Sequence, residues 1–259
     1  MISNNRQLEI LSLLSEKGNV SVEEFAIKFN VSKMTIRRDL EKLQENNLLQ
    51  RTHGGALMNR VLLQEMAYND KREENAEIKQ CITRKAVTFL ENNKIIYLDA
   101  GTTTFELAQK LPTQDLTVIT NDIRIAAHLM LSNNQVIFLG GLIGKETGSV
   151  TDVYAQEMLK EFNIDVAFLG TSSVDNEMNL CTPDINRMKM KKIAYESANK
   201  SILLVDSSKF YSKSLYKILN INDFDVVITD FDVNELTNFD LKATEFVSVK
   251  CNRKEDKEC

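Results

Sequence analysis

Residues 31–40 read Val31-Ser32-Lys33-Met34-Thr35-Ile36-Arg37-Arg38-Asp39-Leu40, and the reading of the N-terminal region turns on them. Ser32 is a residue type that caps helices, and Ile36, Leu40 and Leu43 recur at i, i+4 and i+7. A helix from Lys33 to about Glu45 therefore buries one stripe and leaves Lys33, Thr35, Arg37 and Arg38 off it. Upstream, Ser21 followed three residues later by Glu24 is a capping box, and it opens a helix with Phe25, Ala26 and Phe29 inside. Asn30-Val31 is the short turn between the two. Leu8, Ile10, Leu11, Leu13 and Leu14 form the stripe of an earlier helix. Three short helices with a tight turn between the second and third make a helix-turn-helix, whose third helix presents its N-terminal side chains to the DNA major groove.

Working downstream, Leu48-Leu49-Gln50-Arg51-Thr52-His53-Gly54-Gly55-Ala56 reads as a small hairpin, or wing, closed by a Gly-Gly turn. Arg51 and His53 at its tip are placed to meet phosphates or the minor groove. Arginine is the informative type, because its planar fork bonds two acceptors of guanine at once or clamps a phosphate. The competing reading of Arg37 and Arg38 is an exposed helix face paired with Asp39 or Glu41. The ordered succession of helix, tight turn, capped basic helix and glycine-ended wing favours DNA.

The whole chain has 259 residues, 43% of them hydrophobic and 27% charged, enough to build a sizeable core and to exclude wholesale disorder. No apolar run approaches the ~20 residues that span a bilayer, and no signal peptide is evident, so a cytoplasmic protein without a membrane partner is expected. Four cysteines without C-x-x-C spacing make neither a zinc nor a disulfide framework expected. With two histidines, a metal site or a Ser-His-Asp triad is not expected, and neither is a cofactor. The net charge of -5 conceals a split. Residues 1–60 hold nine Lys or Arg against seven Asp or Glu, and residues 61–259 hold 23 against 30. A mildly cationic front on an acidic body is consistent with a DNA-facing module.

Beyond a polar stretch at 60–76, read as a linker or the start of a charged helix, helical segments alternate with short apolar runs. The helices are expected at 78–91, 105–110, 123–131, 153–162 and 188–198. The strands are expected at 95–98, 117–119, 136–139, 166–169, 202–205, 226–228 and 246–249. Continuous apolar runs of about four residues suit strands buried on both faces, hence a mostly parallel sheet covered by helices. Ligands of such sheets bind outside the carboxyl ends of the strands. Here those ends carry Asp99 with Gly101-Thr102-Thr103-Thr104, then Asn121, Gly140-Gly141, Gly170, and Asp206 with Lys209. Residues 101–104 before a helix suit an anion, because glycine lets the backbone approach while hydroxyls and amides donate. The loop lacks the G-K-[ST] ending of a Walker motif and the G-x-G-x-x-G of dinucleotide sites, so a smaller phosphorylated ligand fits better. Lys209 can add positive charge. Asp99 and Asp206 can take sugar hydroxyls or merely cap the next turn. His128 is read as structural.

The string from Val31 to Leu40 with Arg51-Thr52-His53-Gly54-Gly55-Ala56 closely resembles the winged helix-turn-helix of DeoR-family bacterial transcriptional regulators. Leu98-Asp99-Ala100-Gly101-Thr102-Thr103, Val118-Ile119-Thr120-Asn121, Leu139-Gly140-Gly141, Asp165-Val166-Ala167-Phe168-Leu169-Gly170, Asp206-Ser207-Ser208-Lys209-Phe210 and Ile228-Thr229-Asp230 resemble, in order, the C-terminal sensor domain of the same family. The resemblance implies a fold similar to ribose-5-phosphate isomerases, a phosphorylated-sugar effector and repression relieved by it. It implies ligand contacts at Asp99, Gly101, Thr102, Thr103, Asn121, Gly140, Gly141, Lys191 and Lys209. Two departures stand out: Asn186-Arg187 where the family commonly has a glutamate before the helix lysine, and Asn179-Leu180-Cys181-Thr182 in place of a glycine-threonine turn.

The resulting expectation is a DNA-binding regulator, not an enzyme, with a winged helix-turn-helix at 1–59, a linker at 60–76, an α/β sensor domain at 77–250 and a charged tail at 251–259. Its operator contacts are expected among Ser32, Lys33, Met34, Thr35, Arg37, Arg38, Arg51, His53 and Gly54. Its effector contacts are expected among Asp99, Gly101, Thr102, Thr103, Thr104, Asn121, Gly140, Gly141, Lys191, Asp206 and Lys209. A homo-oligomer is expected, since two recognition helices on paired half-sites add affinity. A phosphosugar isomerase carrying a helix-turn-helix is the alternative, with Asp99, Asp206 and Lys209 as its only candidate acid-base groups. A protein-binding winged helix is disfavoured by the basic face of the third helix.

Overall fold

Ser21 and Glu24 cap a helix as their spacing predicts: the Ser21 hydroxyl accepts from the Glu24 amide at 3.1 Å, and the Glu24 carboxylate accepts from the Ser21 amide at 2.9 Å. The computed structural model describes residues 5–17, 19–45, 49–52, 54–58, 68–90, 94–112, 116–232 and 244–250. His53, residues 60–67 and the tail at 251–259 lie outside them. The chain separates into two units, Met1–Gln64 and Glu65–Cys259.

In the first unit, α1 (Asn5–Lys17), α2 (Val22–Phe29) and α3 (Lys33–Glu45) enclose Ile10, Leu13, Leu14, Phe25, Ile36, Leu40 and Leu43. The apolar stripes meet as their spacing requires. The turn after α2 closes on Asn30, whose φ of 50° is the left-handed geometry that ends a helix. Asp39 is buried and accepts from Arg6 Nε at 2.7 Å and Gln7 Nε2 at 3.2 Å, which fastens α3 to α1. The wing differs from the expected hairpin by one strand. β2 (Leu49–Arg51) and β3 (Gly55–Met58) pair antiparallel, and β1 (Asn19–Ser21) adds to the other side of β3. Gly55 consequently serves a strand contact and not the turn: a Cβ there would sit 2.3 Å from the Val20 carbonyl oxygen.

The second unit holds α4 (Tyr68–Glu73), α5 (Ala76–Val87), α6 (Thr102–Ala108), α7 (Ile123–Leu129), α8 (Val153–Lys160) and α9 (Ile185–Glu196). Its main sheet contains β4 (Ile95–Leu98), β5 (Thr117–Thr120), β6 (Gln135–Phe138), β7 (Ile164–Leu169), β10 (Ala198–Leu204), β12 (Val226–Thr229) and β13 (Glu245–Ser248). All its pairings are parallel and the order is β13-β12-β10-β7-β4-β5-β6. From β4 the chain walks out through β5 to β6, returns to β7, and walks the other way. The direction reverses between β4 and β7, which is the topological switch point of a doubly wound sheet.

Period-2 alternation sends side chains to two separate cores. Ile96, Leu98, Val166 and Phe168 join the core with Ile82 and Ala86 of α5, Leu107 of α6, and Ile125 and Leu129 of α7. Tyr97, Ala167 and Leu169 join the opposite core with Ala155 and Leu159 of α8 and Met190 and Ala194 of α9. This explains the unbroken apolar runs in the sequence. One feature has no counterpart in the expectation: β8 (Ser173–Val174), β9 (Asn179–Thr182) and β11 (Tyr216–Asn220) form a small antiparallel sheet. Another is that Cys81 is disulfide-bonded, while Cys181 is free and buried. Spacing along a chain does not report which thiols come within bonding distance. Among the described residues no helix is long and apolar enough to cross a membrane.

Gly55→Ala is expected to destabilise the first unit by about 1 to 3 kcal/mol, because its methyl group has nowhere to go between β3 and β1. A urea titration of the full chain that follows loss of the N-terminal unit's helicity measures this. An unchanged midpoint would remove the close approach from the account.

Candidate functional site

On α3, the Ser32 hydroxyl accepts from the Thr35 amide at 3.1 Å and hydrogen-bonds the Thr35 hydroxyl at 2.9 Å, so both residues shape the start of the helix. Lys33 pairs with Glu23 of α2, and Met34 is 60% exposed. Arg51 Nη1 donates to Glu41 at 2.8 Å. Glu41 and Asp39 are thus engaged elsewhere, by Arg51 and Arg6, and among the described residues no hydrogen bond or ion pair engages Arg37 or Arg38. Both arginines are exposed, as is Gly54 in the wing turn. The structure brings Ser32, Lys33, Met34, Thr35, Arg37 and Arg38 together on one short helix, as a cationic face with two uncommitted guanidinium groups.

The other candidate site begins at the switch point. Asp99 follows β4 directly, and its amide extends the ladder by donating to the Phe168 carbonyl of β7 at 3.1 Å. Its carboxylate pairs with Lys191 of α9 and accepts from the Gly170 amide at 3.3 Å. Lys191 Nζ also donates to the Gly170 carbonyl at 2.8 Å. Both charged groups are buried, Asp99 at 3% and Lys191 at 6% exposure. A buried ammonium is tolerated only when paired and hydrogen-bonded, and this one has both. The Thr104 hydroxyl is committed to the carbonyls of Asp99 at 2.5 Å and Gly101 at 3.0 Å, which locks the loop against β4. The first helical bond of α6 runs from the Phe105 amide to the Gly101 carbonyl, leaving the amides of residues 102–104 for other acceptors. The hydroxyls of Thr102 and Thr103 make no hydrogen bond among the described residues.

Asn121 is fully engaged. Its carbonyl oxygen accepts from the Tyr97 hydroxyl at 3.0 Å, and its amide donates to the Val150 carbonyl at 2.9 Å. It ties the end of β5 to the loop that follows β6. Burial pushes the Tyr97 phenol well above its ordinary value, so it stays a neutral donor. Gly140 and Gly141 begin that loop at the sheet edge. Gly141 has φ of 145°, and a Cβ there would meet the Asp152 carboxylate at 2.5 Å. The Asp152 carboxylate accepts from the amides of Leu142, Tyr154 and Ala155. Beyond lies a cleft of about 520 Å³ whose lining includes Thr147, Ser149, Asp184 and Arg187. Arg187 stands one turn before Lys191 on α9 and donates to the Ser149 hydroxyl at 3.1 Å. The departure at Arg187 noted in the sequence therefore lines a cavity.

Asp206 and Lys209 form a third cluster, joined by residues that the sequence did not single out. Lys209 Nζ lies 3.7 Å from Asp206, 3.0 Å from the Ser208 hydroxyl and 3.1 Å from Glu74. Asn75 donates to Asp206 and Ser208, each at 3.1 Å. Lys79 is buried on α5 and donates to the Glu74 carbonyl at 2.5 Å. Burial pushes its ammonium below the usual value, Asp206 pulls it back, and Lys209 adds to the push. More than a hundred positions separate Glu74 from Lys209, so no spacing signal could have joined them. His128 is exposed on α7, edge-on to Phe105. Among the described residues no group of three or more His, Cys, Asp or Glu could hold a metal ion.

A winged helix-turn-helix followed by a doubly wound α/β unit, with a polar cleft beside its edge strand β6, defines a DNA-binding transcriptional regulator. The chain belongs to the DeoR family: residues 6–61 match the DeoR-like helix-turn-helix domain and residues 74–231 the DeoR C-terminal sensor domain. It is 35% identical over 232 residues to the HTH-type transcriptional regulator GlpR of Haloferax volcanii, spanning 89% of this chain and 91% of that one. It is 31% identical over 232 residues to the glycerol-3-phosphate regulon repressor of Escherichia coli (strain K12), spanning 89% and 92%. Ribose 5-phosphate isomerase A of Methanocaldococcus jannaschii superposes with a TM-score of 0.40 at 19% identity, over 53% of this chain and 55% of that one, a likeness too slight to carry a functional conclusion. The protein is not an enzyme: the relatives it matches over about nine-tenths of its length are named regulators.

Asp99→Leu or Lys191→Met alone should destabilise the sensor unit by about 3 to 5 kcal/mol, since each strands a buried charge. The double substitution should cost much less than either single one. Chemical unfolding of the three variants tests the pair, and simple additivity would disprove the coupling.

Proposed function

We propose that the chain is a repressor of a carbohydrate-utilisation operon that senses a phosphorylated sugar at the switch point of its sensor domain. In this reading residues 1–59 grip the operator, 60–76 link, 77–250 sense and 251–259 form a tail. The observation that carries it is that the Thr102-Thr103-Thr104 turn after β4, with free hydroxyls on Thr102 and Thr103 and free amides, and Lys209 after β10 both stand on the carboxyl side of one parallel sheet. Donors and a cation on that side are what a phosphate needs. The sugar end extends toward the Gly140-Gly141 loop and Arg187. Asp99, Thr104, Asn121, Asp206 and Lys191 hold the cradle's shape. The regulon named for one relative, glycerol-3-phosphate, supports a small phosphorylated effector and makes glycerol-3-phosphate the first compound to test.

The DNA side rests on Arg37 and Arg38, guanidinium groups of α3 that form no ion pair or hydrogen bond among the described residues. Lys33, Thr35, Arg51, His53 and Gly54 position the helix and wing on the phosphates. A symmetric oligomer doubles the contact with a palindromic operator, and operator binding makes the cytoplasm its place of work. The effector changes operator affinity only to the extent that it prefers one arrangement of the chain over another.

Arg37→Ala should weaken binding to the chain's own promoter region by about 1 to 3 kcal/mol if the side chain reads a base. Arg38→Ala should instead lower the salt slope by about one if it contacts phosphate. Gel-shift titrations at several salt concentrations separate the two outcomes. The Thr102→Ala, Lys209→Ala double variant should retain operator binding and lose the response to every member of a sugar-phosphate panel, read as thermal stabilisation and operator release. A normal response in that variant would move the phosphate site elsewhere.

A further inference from the structure

This inference concerns the regulation of the effector site and rests on the reading just given. Residues 68–75 belong to the stretch that joins the DNA-binding unit to the sensor, and they are fastened to the sensor at three points. The Arg124 guanidinium lies 3.8 Å from the centre of the Tyr68 ring. The Arg72 guanidinium lies 5.5 Å from the ring of Phe105, on the helix that carries Thr102 and Thr103. At the far end, Glu74 and Asn75 hold the loop of Asp206, Ser208 and Lys209.

Asn75 shows that this end is built for the loop. Asparagine is among the best caps for its own helix, yet here it caps nothing. Its φ of 54° is left-handed, and its amide is spent on Asp206 and Ser208 across the chain. Glu74, beside it, takes the Lys209 ammonium.

Lys209 thus already serves two carboxylates, and an incoming phosphate would bring further negative charge to the same ammonium. Like charges around one cation repel, so one carboxylate has to yield. The Asp206 side chain is 3% exposed and held by Ser208 and Asn75, whereas the Glu74 side chain is 38% exposed and rides on the connecting segment. Glu74 is the one free to leave. The docked position is also imperfect elsewhere: the Tyr68 hydroxyl and one Asp122 carboxylate oxygen are buried without a hydrogen-bond partner. An orphaned polar group penalises the docked state and narrows the gap to a released one.

We propose that Glu74 is a built-in competitor of the effector's anionic group for Lys209, and that effector binding frees residues 68–75 from the sensor unit. Because coupling is reciprocal, whatever holds the segment down also weakens effector binding.

The test uses the full chain with inorganic phosphate as probe, followed by calorimetry and by hydrogen exchange. Glu74→Gln should bind phosphate about three- to tenfold more tightly than the unmodified protein. Glu73→Gln, an exposed neighbour, should bind as the unmodified protein does. Phosphate should speed amide exchange across residues 68–75, and Glu74→Gln should show that faster exchange without phosphate. Equal affinity in Glu74→Gln, weaker affinity, or unchanged exchange at 68–75 overturns the competition and leaves the ligand site standing. Absence of phosphate binding in every form, or binding that Lys209→Ala does not weaken, overturns the ligand site itself and the competition with it.

Discussion

The sensor unit is organised around one buried ion pair. A doubly wound sheet leaves a crevice where its strand order reverses, here between β4 and β7, and the residues after those strands, Asp99 and Gly170, face each other across it. Lys191 bridges them from α9, with its ammonium on the Asp99 carboxylate and the Gly170 carbonyl. Without that bridge the crevice would hold an uncompensated charge, and the turn of residues 99–104 would lose its floor. With it, Thr104 can turn inward to the backbone while the Thr102 and Thr103 hydroxyls are left without a hydrogen bond among the described residues. In the reading proposed above, the pair acts on a ligand indirectly, through the shape it imposes.

The same logic of occupied partners runs through the DNA-binding unit. Asp39 is taken by Arg6 and Gln7, Glu41 by Arg51, and Glu23 by Lys33. Asp39 and Glu41 are thus engaged away from Arg37 and Arg38, while Glu23 pairs with Lys33 of the same helix and feels the charge of Arg37. Fold stability and DNA affinity are served by one allocation of charge.

Much of this was legible in the sequence, and the boundary of legibility has a physical cause. Features set by neighbours along the chain came through: the capping box at Ser21, the stripe of Ile36, Leu40 and Leu43, and the strand at 95–98, whose bounds match the structure. Parallel strands buried on both faces advertise themselves as unbroken apolar runs, so all seven strands of the main sheet were foreseen. Features set by distant partners did not come through. β1 is too short to show a pattern and exists because β3 lies beside it. β8, β9 and β11 are short and mix polar with apolar residues, so no apolar run marks them although β8 and β9 are largely buried. The site was half visible for the same reason. Residues at strand ends could be named, but the role of Asn121 as a brace depends on contacts 24 and 29 positions away, and the presence of Glu74 and Asn75 at the loop of Lys209 on contacts more than a hundred positions away.

The last strand of the main sheet bears on how fragments of this chain behave. The family match to the sensor domain stops at residue 231, yet β13 lies beyond it and covers the outer side of β12, a strand buried along its whole length. An expression boundary drawn at the end of the match would strip that cover and bare a row of unpaired amides and carbonyls beside apolar side chains. Such a truncated sensor would recruit strands from other molecules and precipitate, so a soluble fragment has to extend at least to Ser248.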